Sequence, residues 1–127
     1  MNTSPVISNE WLARYILSED HIRKDGTVKP DPFIPYKHVE LSVTRHIGLE
    51  ENEIWQAGEL VASQREDQLI GRADIVAQRA VDNGLTVLPA PLLKNHNHAN
   101  IIGWPAMKPD QKIIALELVK GAVFVKR

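Results

Sequence analysis

The sequence predicts an α+β fold, a single compact domain with a mainly antiparallel sheet of about four strands and about three helices packed on one face. Polar and apolar residues alternate from His38 to His46, which is typical of a strand. An apolar stripe with helical spacing follows between Ile54 and Ala62, and Asn83-Gly84 is typical of a tight hairpin. We expect a flexible N-terminus over residues 1–8 and the domain over residues 9–127.

Composition narrows the classes of function that need to be considered. The 127 residues carry a formal net charge of -1 and no cysteine. The charge gives no general attraction to nucleic acid or to an anionic membrane, and the missing thiols exclude cysteine-ligated cofactors. Histidine and carboxylate remain as ligands, so a divalent metal is the metal cofactor that the sequence allows. No segment approaches the ~20 apolar residues of a membrane span, and we expect a cytoplasmic protein.

The N-terminal third predicts one helix and one long loop. Ser8 or Asn9 can cap a helix that runs to about Leu17, with apolar residues available for packing. Three prolines between residues 25 and 35 then exclude a regular helix, because each proline removes a backbone donor and restricts the preceding residue. The residues of the predicted helix that would face the core are Trp11, Leu12, Tyr15 and Ile16.

The strand predicted from His38 to His46 has one polar and one apolar face. Arg45 falls on the apolar side by parity, where it could cap the strand end, pair with a carboxylate or bind an anion. The polar stripe is either the solvated face of a sheet or part of a reactive surface. It contains His38, Glu40, Ser42, Thr44 and His46, opposite Val39, Leu41 and Val43.

A second helix begins after Gly48, because glutamates crowd its first turn and suit the positive end of the helix dipole. An antiparallel hairpin is predicted beyond it, with strands over 72–81 and 85–90 joined at Asn83-Gly84.

A short strand over 99–104 and a final helix from Pro109 to about Lys120 complete the domain. The residues that follow this helix, 122–125, could add a strand at the edge of the sheet.

Two histidine clusters are the candidate chemistry. His96 and His98 share one side of an extended chain about 7 Å apart, a spacing that allows both rings to bind one metal. His38 and His46 would lie about 26 Å apart on a straight strand. Only one end of that strand could therefore share a site with the second cluster. We favour the end with His38 and Glu40 as an acid/base pair.

Asn100 would extend the second cluster, and we name it with Arg45 as a candidate for binding substrate or an anion. Each of these motifs also has an ordinary structural explanation, in surface turns or on a solvated sheet face.

Two functions follow from these observations. The first is a small partner-binding or accessory protein, whose partner would be another protein or a second copy of this chain. The alternative is a histidine-dependent hydrolase for a phosphate-containing or other polar substrate, with or without a divalent metal. The basic residues are dispersed among acidic ones, which disfavours dedicated DNA binding.

Overall fold

The computed structural model describes residues 1–35 and 39–127. Within them the chain forms a single α+β domain with one six-stranded antiparallel sheet and three α-helices. Two short 3-10 turns, Glu19–His21 and Asp31–Phe33, lie between the first two strands. The strands are β1 (Trp11–Ile16), β2 (Leu41–Arg45), β3 (Gly71–Val76), β4 (Thr86–Pro89), β5 (His98–Ile102) and β6 (Val123–Lys126), and the helices are α1 (Glu51–Gln64), α2 (Ala77–Asp82) and α3 (Lys108–Lys120).

The sheet has the strand order β4-β5-β2-β1-β3-β6, and every pair of neighbours is antiparallel. The prediction of an α+β domain with a mainly antiparallel sheet is confirmed, whereas the predicted number of about four strands is too low. The final helix and the strand that follows it are confirmed too, since α3 ends at Lys120 and β6 pairs with β3 at one edge.

The predicted first helix is wrong, because Trp11–Ile16 is a strand in the interior of the sheet. Leu12, Ala13 and Ile16 have no exposed surface and Tyr15 is 8% exposed. A strand that is covered on both faces loses the alternation of polar and apolar residues by which strands are recognised. Its apolar residues then happened to match the spacing of a helix.

The predicted hairpin over 72–81 and 85–90 is also wrong. The first of its strands ends at Val76 and the chain continues directly into α2, while β4 pairs with β5 instead of β3. Asn83 is the C-cap residue of α2, and Gly84 follows with φ +78°. Glycine is favoured just past a helix for the same reason that it is favoured in a tight hairpin, since both positions require a positive φ.

Helices cover both faces of the sheet, which corrects the expectation that they share one face. Residues of β1 alternate between two cores, with Leu12 in one and Ala13 in the other. Helix α1 contributes Ile54 and Ala62 to the core on the Ala13 side, whereas α3 contributes Leu118 to the core on the Leu12 side.

Helix α1 lies unusually close to β1. A Cβ atom added to Gly58 would stand 2.6 Å from a ring carbon of Tyr15, so the helix backbone nearly touches the aromatic ring. The Tyr15 hydroxyl donates a hydrogen bond to the carbonyl oxygen of Ile54 in the same helix. This hydrogen bond, together with the absence of a side chain at Gly58, sets the distance between α1 and the sheet.

Among the described residues, no helix is long and apolar enough to cross a membrane.

Candidate functional site

A cavity of about 420 Å³ opens between α1 and the sheet, at the point where β1 and β2 part. The ladder between these strands contains only the pairs Leu12↔Arg45 and Ala13↔Thr44. Beyond Ala13 the space between the strands is lined by the side chain of Arg14 and by Ser42. The two 3-10 turns and the connection from β4 to β5 supply further walls of the cavity.

Arg14 is the central polar residue of this cavity. Its Nε donates to the carbonyl oxygen of Pro32 at 2.7 Å, and its Nη1 donates to the carbonyl oxygen of Ser42 at 2.9 Å. A guanidinium has five N–H donors, and neither bond involves Nη2. Within residues 1–35 and 39–127 we find no carboxylate that pairs with this cation and no hydrogen bond from its Nη2.

The pKa of Arg14 reflects a guanidinium that is removed from water and has no carboxylate paired with it. Burial lowers the pKa of Arg14 to about 10, and the nearby positive charge of Arg65 adds to the effect. Arg14 therefore remains charged at neutral pH, but at a cost in free energy that an anion in the cavity would offset.

Further positive charge surrounds the same cavity. Arg65 lines it at the end of α1, and Lys94 lines it on the connection from β4 to β5. Both side chains are exposed, and neither has an ion pair in the part of the chain that is described. Asp31 is the acidic residue among the lining side chains. Cations thus outnumber carboxylates here, although the whole chain has a formal net charge of -1.

His98 is the predicted site residue that lines the cavity. Its Nδ1 lies 2.8 Å from the carbonyl oxygen of Ala90, so Nδ1 carries a proton and donates to that oxygen. The other ring nitrogen, Nε2, then accepts a hydrogen bond when the ring is neutral and donates one when the ring is protonated. Beside it, Asn95 donates to the Thr44 hydroxyl at 2.9 Å and fixes the loop against β2.

Arg45, a candidate for anion binding, lies elsewhere and is fully buried. Its Nε and Nη2 donate to the two carboxylate oxygens of Glu10 at 2.7 and 2.8 Å, and its Nη1 donates to the carbonyl oxygen of Ser4 at 2.8 Å. These bonds occupy the guanidinium inside the protein and hold the N-terminal segment on the domain. The predicted flexibility of residues 1–8 stays a prediction beside these contacts.

The other predicted site residues do not come together in the described structure. Glu40 is exposed and Asn100 is half-buried on β5, and neither lines the cavity. His96 is exposed, and its partner His98 bonds the backbone. His38 lies outside the described residues, so the acid/base pair stays a prediction. Among described side chains no group of three or more histidines and carboxylates is placed to hold a metal ion.

His46 joins a second polar cluster on the same face of the sheet, near the start of α1. Its Nε2 lies 3.2 Å from an oxygen of Asp74, which also accepts from the Nε of Arg72 at 3.1 Å. Arg72 contacts Glu51 at 2.7 Å and lies over the ring of Trp55, 4.5 Å from its centre. Hydrogen bonding to Arg72 lowers the pKa of Glu51 below its usual value. Arg72 on β3 thus lies between the carboxylates of Asp74 and of Glu51 on α1, so this cluster holds α1 to the sheet.

Sequence reasoning missed Arg14, Arg65 and Lys94. The sequence predicts a helix around Arg14, and an arginine in a surface helix is typical of a solvated side chain. Even the correct strand would not have indicated the cavity, because these three residues meet only through the fold. A single arginine within an otherwise apolar strand was the one local signal available.

Comparison of the chain with protein-family models, with curated proteins and with solved structures found no match.

Proposed function

We propose that this protein is a small non-catalytic binding protein whose cavity takes a small organic anion. The observation that carries the proposal is the guanidinium of Arg14, which lies inside a cavity of about 420 Å³ and is bonded to two backbone carbonyl oxygens. Cavities of this size are typical of sites for small molecules, in which a few polar groups set the orientation of the ligand.

An anion is the ligand that best satisfies these groups. Hydrogen bonds between a guanidinium and a carboxylate or phosphate are among the strongest in proteins, and they strengthen where water is excluded. Bringing an anion to Arg14 would also reduce the repulsion between Arg14 and Arg65. The exposed charges of Arg65 and Lys94 would mainly attract the anion to the opening, because exposed charges are screened by solvent.

This proposal keeps the predicted accessory role and gives it a ligand. A protein partner would then recognise the form of the protein in which the anion is bound. The cytoplasmic location stays a prediction. The hydrolase alternative also stays a prediction. Within the described residues the His98 ring is hydrogen-bonded to a backbone carbonyl and to no hydroxyl, so no nucleophile activated by this ring supports the alternative.

The test measures binding of benzoate, hexanoate and inorganic phosphate by calorimetry, with benzamide as a neutral counterpart of benzoate. We expect at least one anion to bind and benzamide not to bind. Arg14→Gln should weaken the binding by roughly tenfold or more, the usual effect of losing a charge-assisted hydrogen bond. Since Arg14 also ties together two backbone segments, its variant requires a circular dichroism spectrum and a melting temperature.

Arg65→Gln is the second variant, because its side chain is exposed and its loss should leave the fold intact. We expect it to weaken anion binding about two- to fivefold. Arg127→Gln is the matched control, since this arginine pairs with Glu59 at 3.0 Å and does not line the cavity. Failure of both organic anions, benzoate and hexanoate, to bind, or equal weakening by Arg65→Gln and Arg127→Gln, would refute the proposal.

A further inference from the structure

We propose that the ligand is an amphipathic monocarboxylate, with its carboxylate at Arg14 and its hydrocarbon part along α1. This inference rests on the proposed function and names the class of anion. Three features of the cavity support it: an apolar wall on α1, a second apolar wall from the loops, and one carboxylate among the described lining residues.

The first apolar wall lies on α1. Ala57, Leu60 and Val61 line the cavity at spacings of three and four residues, which places them on one face of the helix. All three are only partly buried, although the neighbouring Gly58 and Ala62 are fully packed against the sheet. The helix therefore keeps apolar surface uncovered beside Arg14, and a hydrocarbon chain would remove that surface from water.

The second apolar wall comes from the loops. Leu17 follows β1, and Leu92 lies on the connection from β4 to β5. Pro32 belongs to the turn that also binds Arg14, and Ile34 follows that turn. Inorganic phosphate or a small sugar phosphate would leave both walls in contact with water. A ligand with an apolar body and one anionic end matches the walls and the guanidinium together.

Asp31 favours a ligand with a single negative charge. It is exposed and lines the cavity directly before Pro32, whose carbonyl oxygen accepts from Arg14, so the wall of the cavity carries one negative charge besides its cations. A phosphate monoester brings close to two negative charges at neutral pH, and the second charge would be repelled by Asp31. A planar carboxylate needs only the donors that remain on Arg14 and places one charge there.

The test is a chain-length series of butanoate, hexanoate and octanoate, with octan-1-ol as the neutral counterpart and phenyl phosphate as the doubly charged one. We expect the dissociation constant to fall by about fourfold for each added methylene that the walls cover. We also expect octanoate to bind more tightly than octan-1-ol and phenyl phosphate. Leu60→Gln should weaken octanoate binding by about three- to tenfold and change butanoate binding little.

Leu116→Gln is the matched control, because this leucine is partly exposed on α3 and does not line the cavity. It should leave the whole series unchanged. If anions bind in a way that depends on Arg65 but chain length has no effect, this inference is overturned and the proposed function stands. If octan-1-ol binds as tightly as octanoate, the carboxylate is not recognised, and both this inference and the proposed function fail.

Discussion

Replacing Arg45 by methionine tests the buried ion pair that ties the N-terminal segment to β2. The side chains of Arg45 and Glu10 are 0% and 3% exposed, and their two hydrogen bonds measure 2.7 and 2.8 Å. Methionine keeps most of the side-chain volume and removes the charge, which leaves the Glu10 carboxylate buried without its cation. Loss of one member of such a pair costs about 3–5 kcal/mol of unfolding free energy.

Urea unfolding followed by tryptophan fluorescence measures this loss, since the chain has three tryptophans. The double variant Glu10→Gln/Arg45→Met is the matched control, because it removes both charges and should recover part of the stability. A loss below about 1 kcal/mol for Arg45→Met would refute the reasoning, since it is the size found for exposed ion pairs.

The pH dependence of the same variant has a definite sign. Burial tends to raise the pKa of Glu10, but hydrogen bonds from Arg45 and from the Ile7 backbone outweigh it and hold the pKa below the ordinary value of 4.5. A lowered folded pKa stabilises the protein above the unfolded pKa, and that contribution disappears as the pH falls through the folded value. The stability difference between the native protein and Arg45→Met should therefore shrink below about pH 4.5. A difference that stays constant down to pH 3 contradicts this account.

Three further substitutions test the packing of the sheet and its helices. Gly71→Ala would place a Cβ 2.6 Å from the carbonyl oxygen of Val125, so we expect a loss of about 1–3 kcal/mol and faster amide exchange in β6. Tyr15→Phe removes the hydrogen bond to Ile54 and should cost about 1 kcal/mol in urea unfolding. Gly48→Ala meets no neighbouring atom but requires φ +75°, so a loss of about 1–2 kcal/mol would come from the backbone alone, and no loss would contradict it.

Local signals predicted the helices α1 and α3 better than the interior strand β1. The glutamates before Ile54 and the proline at position 109 mark helix starts by mechanisms that operate within one turn. Trp11–Ile16 lacks such a signal, because its extended conformation depends on the strands β2 and β3 that pair with it on either side. The sequence predicts the positive φ of Gly84 correctly, but the residues around it do not distinguish the end of a helix from a hairpin.

The candidate site was less predictable than the fold. The structure places His98 on β5 opposite Thr44, where it lines the cavity, whereas the sequence predicts a connection there and favours His38 and Glu40 as its partners. Arg14 and Arg65, which line the same cavity, come from β1 and from the end of α1, far apart in the sequence. Which side chains meet depends on where β1 and β2 part, and no local pattern encodes that point.

The order of strands in the sheet has a consequence for how the protein reaches its native state. Strand β2 obtains one of its two neighbours from β5, and β3 obtains one of its neighbours from β6, in each case across roughly half of the chain. Closing such long loops costs entropy before the pairing repays it, which slows folding. We expect refolding in milliseconds to seconds, with β5 and β6 gaining amide protection together with the collapse of both cores.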